Sequence, residues 1–128
     1  MKKILLPALA AACAFAALGS ARSQGKPPQA AAAPAAREFT LVNLEYEGTK
    51  IWLPSLLVAK KVEKVKITLH NNVPSGEHGF SISEFKVLEK VYKGEPRTVE
   101  FVAEKAGLFR MFCQLHPKHI GGQLLVLE

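Results

Sequence analysis

Strict alternation of apolar and polar residues is the feature that most limits how this chain can fold. In VKITLH, residues 65–70, every second residue from Val65 is apolar. Successive side chains of a β-strand point to opposite faces, whereas an amphipathic helix repeats its apolar residues three or four positions apart. RTVEFVA, residues 97–103, alternates in a similar way. Both stretches therefore predict strands with one face in a core.

Further short apolar stretches, separated by turn-forming residues, extend this pattern along the chain. Loops are indicated by HNNVPSGEHG, residues 70–79, and by KGEP, residues 93–96. Residues 50–62 are ambiguous, because Pro54 argues against a continuous helix and a strand followed by a short excursion fits as well. About seven short strands predict an all-β sandwich or barrel. The clearest candidate strands cover residues 38–46, 65–70, 79–83, 97–103, 107–115 and 121–128.

The N-terminal composition predicts an export signal. Two lysines, an apolar run and small residues follow one another, which is the pattern of a cleaved secretory signal peptide over residues 1–23. The apolar run of about 15 residues is shorter than the roughly 20 that span a membrane. Cys13 offers an alternative, a lipoprotein cleavage site. Residues 24–37 predict a Pro/Ala-rich linker, and residues 38–128 one small domain.

Removal of the signal peptide changes both the charge and the cysteine count. Loss of Lys2, Lys3 and Arg22 from the 17 Lys and Arg residues leaves 14 against 11 Glu, a net charge of +3. Such a charge can steer an acidic partner, but no Lys/Arg run resembles a nucleic-acid-binding surface. Of the two cysteines, only Cys113 then remains. An odd cysteine after export indicates an intermolecular disulfide, a reactive thiol or a metal ligand.

The stretch CQLHPKHIGG, residues 113–122, brings a thiol and two imidazoles together. Cys113 ends a predicted strand, and His116 and His119 follow at intervals of three residues. A loop held between two strands keeps such side chains near one point, and one thiolate with imidazoles suits a borderline-to-soft metal. His78, before another strand, is the candidate ligand from a distant loop. One Cys with three His also suits zinc, so both metals stay open here.

Several distinct motifs occur together between residues 58 and 127. They are an Asn-Asn loop after a strand, a His before the next strand in EHGFSI, a Lys-Gly-Glu turn and the run AGLFRMFCQLHPKH. In this combination the chain resembles the cupredoxins, the small blue-copper-type proteins. The resemblance implies a Greek-key β-sandwich and one copper ion. It implies four metal-binding residues: His78, Cys113, His116 and His119. Of these, His119 occupies the position of the usual axial methionine.

In framework the chain is most similar to the nitrosocyanin-like red copper proteins, through AGLFRMFCQLHPK and the GFSI strand. Those proteins use one Cys, two His and a Glu. This chain has His78 next to the strand and Glu77 one residue earlier, so His119 or Glu77 could supply the fourth ligand. An axial nitrogen in place of a thioether predicts a lower potential and a green-to-red rather than deep blue colour. Met111 lies on the strand and is expected in the core.

The resemblance implies an electron carrier rather than an enzyme. Its function would be to transfer single electrons in the periplasm between redox partners such as a cytochrome or an oxidoreductase, with the His116 ring edge as the electron exit. The alternative is a nitrosocyanin-like centre whose open coordination position binds or converts a small molecule such as nitric oxide. Copper delivery or storage is a third hypothesis, although the chain lacks the Met-rich or paired-Cys sites usual in such proteins.

Overall fold

The computed structural model describes residues 35–128. The predicted signal peptide, residues 1–23, and most of the predicted linker, residues 24–37, lie outside the described residues. Within 35–128 the chain is all-β, as predicted, and its helical structure is a single 3-10 turn, Ser83–Phe85. This part of the chain contains no helix long and apolar enough to cross a membrane.

Nine strands form in the described residues, compared with about seven predicted. The ambiguous stretch 50–62 contributes two of them, on either side of Pro54. A further strand escaped prediction because only Val87 and Val91 of its six side chains are buried, so its sequence has no clear alternation. The strands are β1 Arg37–Tyr46, β2 Thr49–Leu53, β3 Leu56–Lys60, β4 Lys64–Asn71, β5 Glu77–Ile82, β6 Val87–Tyr92, β7 Arg97–Val102, β8 Gly107–Met111 and β9 Gly122–Leu127.

The strands form hydrogen-bonded groups of mixed direction, in the orders β2-β1-β4-β7, β3-β9-β8 and β5-β6. The pairs β1–β4 and β3–β9 run parallel, and the other strand pairs run antiparallel. A bridge between Ser81 and Phe112 joins β5 to the residue that follows β8. The predicted sandwich class is therefore confirmed, with its sheets built from both parallel and antiparallel pairs.

The alternation that predicted β4 corresponds to one buried and one half-buried face. Val65, Ile67 and Leu69 have no exposed surface, while the intervening Lys66 and Thr68 are half-buried. The core that these residues join is mostly aliphatic, with Trp52 and Phe80 as its buried aromatic members. Its other members are Leu41, Leu57, Ala59, Ile82, Val87, Val91, Val99, Ala103, Met111, Leu124 and Val126.

The connection between β8 and β9 is held close to its neighbours. The strand predicted for 107–115 ends at Met111, and a loop of residues 112–121 follows. Gly122 packs so closely against the backbone of Ser55 that an added Cβ would overlap its carbonyl oxygen. The Ile120 N–H donates to the Lys50 carbonyl oxygen over 2.9 Å. The loop is therefore fixed to β2 before the chain enters β9.

Removal of side-chain volume at Leu69 should destabilise the domain strongly. Leu69 has no exposed surface, whereas Leu88, on another strand, is 67% exposed. We expect Leu69→Ala to lower the free energy of unfolding by about 2–5 kcal/mol, because a buried cavity is added to the lost transfer energy. The matched Leu88→Ala should change it by less than about 0.5 kcal/mol. Urea unfolding of the metal-free protein measures both, and equal losses would contradict this core assignment.

Candidate metal centre

Two strands and one loop deliver the candidate ligands to the same place. His78 lies on β5, and Cys113 follows β8 by two residues. Phe112 and Ser81 exchange two backbone hydrogen bonds of 2.9 and 3.1 Å, which fixes the entry to the loop against β5. One residue later, the Gly79 N–H donates to Cys113 Sγ over 3.2 Å. The thiol is thereby placed beside the backbone of the residue that follows His78.

A buried cluster of three donors results. One ligand atom from each of His78, Cys113 and His119 lies within 4.8 Å of the others, and all three side chains are buried. His116 lies at the rim: its Nδ1 is 3.5 Å from Cys113 Sγ, and its ring centroid is 4.8 Å from that of His78. Unlike the other three, His116 is exposed. All four residues predicted as ligands therefore come together.

The His78 ring is oriented by the backbone of its own loop. Its Nε2 lies 3.1 Å from the Ser75 carbonyl oxygen. Because a carbonyl oxygen only accepts, Nε2 carries the hydrogen, and Nδ1 keeps a free lone pair. That Nδ1 is buried and has no hydrogen-bond partner. Burial, and next the nearby His116, lower the pKa of His78 below its usual 6.5, which keeps the ring neutral and able to bind a metal.

The His119 ring has even fewer polar contacts. Only 6% of the residue is exposed, and neither ring nitrogen has a hydrogen-bond partner. Burial, followed by the proximity of His78, lowers the pKa of His119 to about 4. Its neighbours are rings: the His78 centroid lies 5.3 Å away, and Trp52 stacks on it at 6.4 Å with an interplanar angle of 27°. A neutral, buried imidazole with two unused nitrogens is suited to bind a metal ion.

Glu77, the other candidate for the fourth position, has different partners. Its carboxylate lies 3.4 Å from the Lys90 ammonium group. A hydrogen bond from the Tyr92 hydroxyl is the main cause of the lowered pKa of Glu77, and it outweighs burial, which raises that pKa. The carboxylate is not part of the three-donor cluster. Met111, expected in the core, is 1% exposed and packs there.

Comparison with known proteins assigns the chain to a family. A family model described as the cupredoxin-like domain matches residues 8–126. The chain belongs to the cupredoxin-like family. Among curated proteins, no sequence matches this cupredoxin. The predicted cupredoxin resemblance, which rested on the motifs between residues 58 and 127, is thus confirmed at the level of the family. The nitrosocyanin-like detail stays a prediction.

Solved structures share the fold of this cupredoxin at low sequence identity. The copper nitrite reductase of Nitrosomonas europaea superposes with a TM-score of 0.61 and 18% identity, over 73% of this chain and 42% of that one. Auracyanin A, a "blue" copper protein from Chloroflexus aurantiacus, superposes with a TM-score of 0.58 and 15% identity, over 72% of this chain and 99% of that one. The chain therefore spans less than half of the reductase and almost the whole of auracyanin A.

The donor set of this cupredoxin fits one copper ion. One sulfur and imidazole nitrogens are the ligands that copper accepts readily, and copper(II) exceeds zinc in affinity for such sites. Buried polar atoms normally have partners, so the unpartnered nitrogens of His78 and His119 stand out. The buried cluster of His78, Cys113 and His119 in a cupredoxin domain is consistent with a single copper ion.

Three residues around the ligands were not identified as part of the site from the sequence. They are Trp52, Gly79 and Gln114, and no short motif in the sequence marks any of them for such a role. Gly79 donates to the thiol, and Gln114 lies over Gly79 with its amide donating to the Glu89 carbonyl oxygen at 2.8 Å. An added Cβ at residue 79 would overlap the Gln114 amide. A side chain at position 79 is therefore accommodated only if the Gln114 amide moves away.

A methyl group at residue 79 should disturb this packing, and removal of Gln114 should relieve it. We expect Gly79→Ala to lower the unfolding free energy by about 1–3 kcal/mol through overpacking. Gln114→Ala alone loses the hydrogen bond to Glu89, but in the Gly79→Ala background it also removes the overlap. The double variant should therefore lose less stability than the sum of the two single losses. Urea unfolding of the metal-free variants measures the coupling, and additive losses would refute it.

Proposed function

We propose that this cupredoxin is a periplasmic mononuclear copper protein that passes single electrons between redox partners. In this proposal His78, Cys113, His116 and His119 hold the ion. The observation that carries it is the buried three-donor cluster, with His116 Nδ1 3.5 Å from the sulfur and the His116 ring exposed. A bound copper ion would supply the one-electron couple, while the chain supplies binding, orientation and electrostatics.

The chain's contribution is to hold the ligands nearly still. The loop of residues 112–121 is fixed near one end by the two hydrogen bonds between Phe112 and Ser81 and near the other by that between Ile120 and Lys50. Burial of the His119 ring and of the Cys113 sulfur keeps water from these donors. Ligands on such a framework need little rearrangement when the charge at the centre changes, which favours rapid electron transfer.

The exposed His116 ring is the proposed point of exit. Pro117 and Lys118 beside it are exposed, and Ile120 is 47% exposed, so a small apolar and basic surface surrounds the ring. Val73, in the loop before β5, is fully buried and does not contribute. A redox protein such as a cytochrome or an oxidoreductase is the proposed partner. Contact at His116 would bring it against a ring whose Nδ1 lies 3.5 Å from Cys113 Sγ.

The periplasmic location rests on the N-terminal sequence. We propose that residues 1–23 act as a cleaved signal peptide and residues 24–37 as a linker, which leaves residues 38–128 as the copper-binding domain. An anchored lipoprotein modified at Cys13 is the alternative. Mass spectrometry of the exported protein distinguishes the two, because cleavage near residue 23 removes Cys13 and lipidation retains it.

One observation favours a second candidate function, a centre that binds or converts a small molecule such as nitric oxide. A cleft of about 220 Å³ opens beside the donors and is lined by Gly48, Lys50, His116, Lys118 and His119. A small ligand could reach the rim of the site from this cleft. Open coordination positions are typical of reactive metal sites.

The copper-loaded protein should bind one equivalent of copper through the four proposed ligands. We expect Cys113→Ser to lose the visible absorption, since that absorption requires the thiolate. A strong fourth nitrogen donor should give a green-to-red protein, and His119→Ala should shift the spectrum. His70→Ala is the matched control, because His70 lies on β4 and is not part of the cluster. Metal analysis and visible spectra of the exported protein measure these outcomes.

Two results would contradict this assignment. A deep blue protein whose spectrum is unchanged in His119→Ala would remove His119 from the ligand set. An exported protein that carries zinc in place of copper would remove the electron-carrier function altogether.

Electron transfer and small-molecule chemistry should separate in rapid kinetics. We expect a small reduced cytochrome to reduce the oxidised protein quickly in stopped-flow experiments, and nitric oxide to leave the visible spectrum unchanged. A large spectral change with nitric oxide, together with slow reduction by the cytochrome, would favour the second function instead.

A further inference from the structure

Trp52 contacts the candidate metal centre in two ways that the proposed function does not use. It is the only tryptophan of the chain and is 1% exposed. It lies on β2, opposite Asn43 of β1, and so reaches the site from a different sheet than His78 or Cys113. Its ring also packs edge-on against Phe80, with the centroids 5.6 Å apart. A rigid aromatic side chain in this position can fix whatever it touches.

The first contact is a hydrogen bond to the backbone of Gly79. The indole N–H of Trp52 donates to the Gly79 carbonyl oxygen over 3.0 Å, and the Gly79 N–H donates to Cys113 Sγ over 3.2 Å. Alternate residues of a strand turn their backbone polar groups to the same edge. Two residues later on that edge, Ser81 bonds Phe112 through both groups. At Gly79 the Trp52 indole and the Cys113 thiol make the two hydrogen bonds that the backbone of a neighbouring strand would otherwise make.

The second contact is a stack on the His119 imidazole. The two rings lie 6.4 Å apart at an interplanar angle of 27°. Metal-bound histidines usually donate their second nitrogen to a carboxylate or a carbonyl group, which fixes the ring. Neither nitrogen of His119 has such a partner. Ring packing against Trp52 and His78 is therefore what orients His119.

We propose that Trp52 is a positioning residue of the metal centre. One side chain orients the His119 imidazole by stacking and holds the Gly79 peptide that donates to the Cys113 sulfur. The inference rests on the proposed function insofar as His119 and Cys113 are ligands there. Trp52 itself need not touch the ion.

Variants at residue 52 separate the two contacts. Trp52→Phe keeps an aromatic ring and loses the N–H donor, while Trp52→Leu loses both. Since residues that support metal ligands typically contribute 10–100-fold to affinity, we expect metal dissociation to accelerate by about that factor in Trp52→Leu and by less in Trp52→Phe. Both variants should also shift the visible band and the reduction potential. A purely structural residue would move neither of these two properties.

The matched control is Phe109→Leu. Phe109 belongs to a separate aromatic cluster, with its ring 4.8 Å from that of Phe85. Phe109→Leu should lower the unfolding free energy and leave the visible band, the potential and the dissociation rate unchanged. If Phe109→Leu shifts the band as much as Trp52→Leu does, general loosening of the core explains the effect and the inference fails.

The fluorescence of Trp52 also reports on its role while residue 52 is unchanged, which avoids any folding defect of the Trp52 variants. Binding of one equivalent of zinc should change the tryptophan emission, because the ion would bind the imidazole that stacks on the indole, and copper(II) should quench it. His119→Ala should greatly reduce the zinc response, and His70→Ala should preserve it. A zinc response that is unchanged in His119→Ala would overturn the inference.

The two proposals fail in different ways. If the unmodified protein binds neither metal, the proposed function falls and this inference with it. If the unmodified protein binds copper normally and Trp52→Leu keeps the same band, potential and dissociation rate, only the role of Trp52 is overturned.

Discussion

The bridge between Ser81 and Phe112 is the contact on which the metal centre depends. Its two backbone hydrogen bonds join β5, which carries His78, to the residue after β8. Because the pairing continues along the same edge, Cys113 Sγ reaches the N–H of Gly79. The bridge is the backbone pairing that joins the strand carrying His78 to the segment carrying the thiol. A pair of ordinary backbone hydrogen bonds thus brings together ligands that are 35 residues apart in sequence, a separation counted from His78 to Cys113.

The sequence allowed prediction of those strands and site residues that are marked by a short repeating pattern or by residue type. The alternation in residues 65–70 predicted β4, and the Cys and His spacing in residues 113–119 drew attention to the loop. The strand Val87–Tyr92 was missed because it buries only two side chains. His78 was a candidate ligand because it lies in a loop just before a strand, and the family resemblance then gave it a metal-binding position, although nothing local links the two segments. The position of Trp52 results from pairing between β1 and β2, which no short motif in the sequence encodes.

The loop assigns different environments to two histidines only three residues apart. The His119 N–H donates to the His116 carbonyl oxygen over 2.9 Å, which closes a turn. That turn leaves the His116 ring exposed and places the His119 ring in the interior against Trp52. One imidazole is thereby available at the surface for a partner, while the other stays shielded from water. A methionine at position 119 could also be buried there, but it would bring a weaker ligand.

The unpartnered nitrogens of the cluster show that core packing alone is a poor explanation for the burial of His78 and His119. Three of the five buried polar atoms without partners in the described residues belong to His78 and His119. Each such atom destabilises a fold by about 1–3 kcal/mol, so aliphatic side chains there would give a more stable protein without a metal. Metal binding satisfies donor atoms and adds its free energy to that of folding. The stability lost in the metal-free state is therefore recovered only when an ion is bound, which makes metal binding the physical reason for burying two imidazoles at this end of the domain.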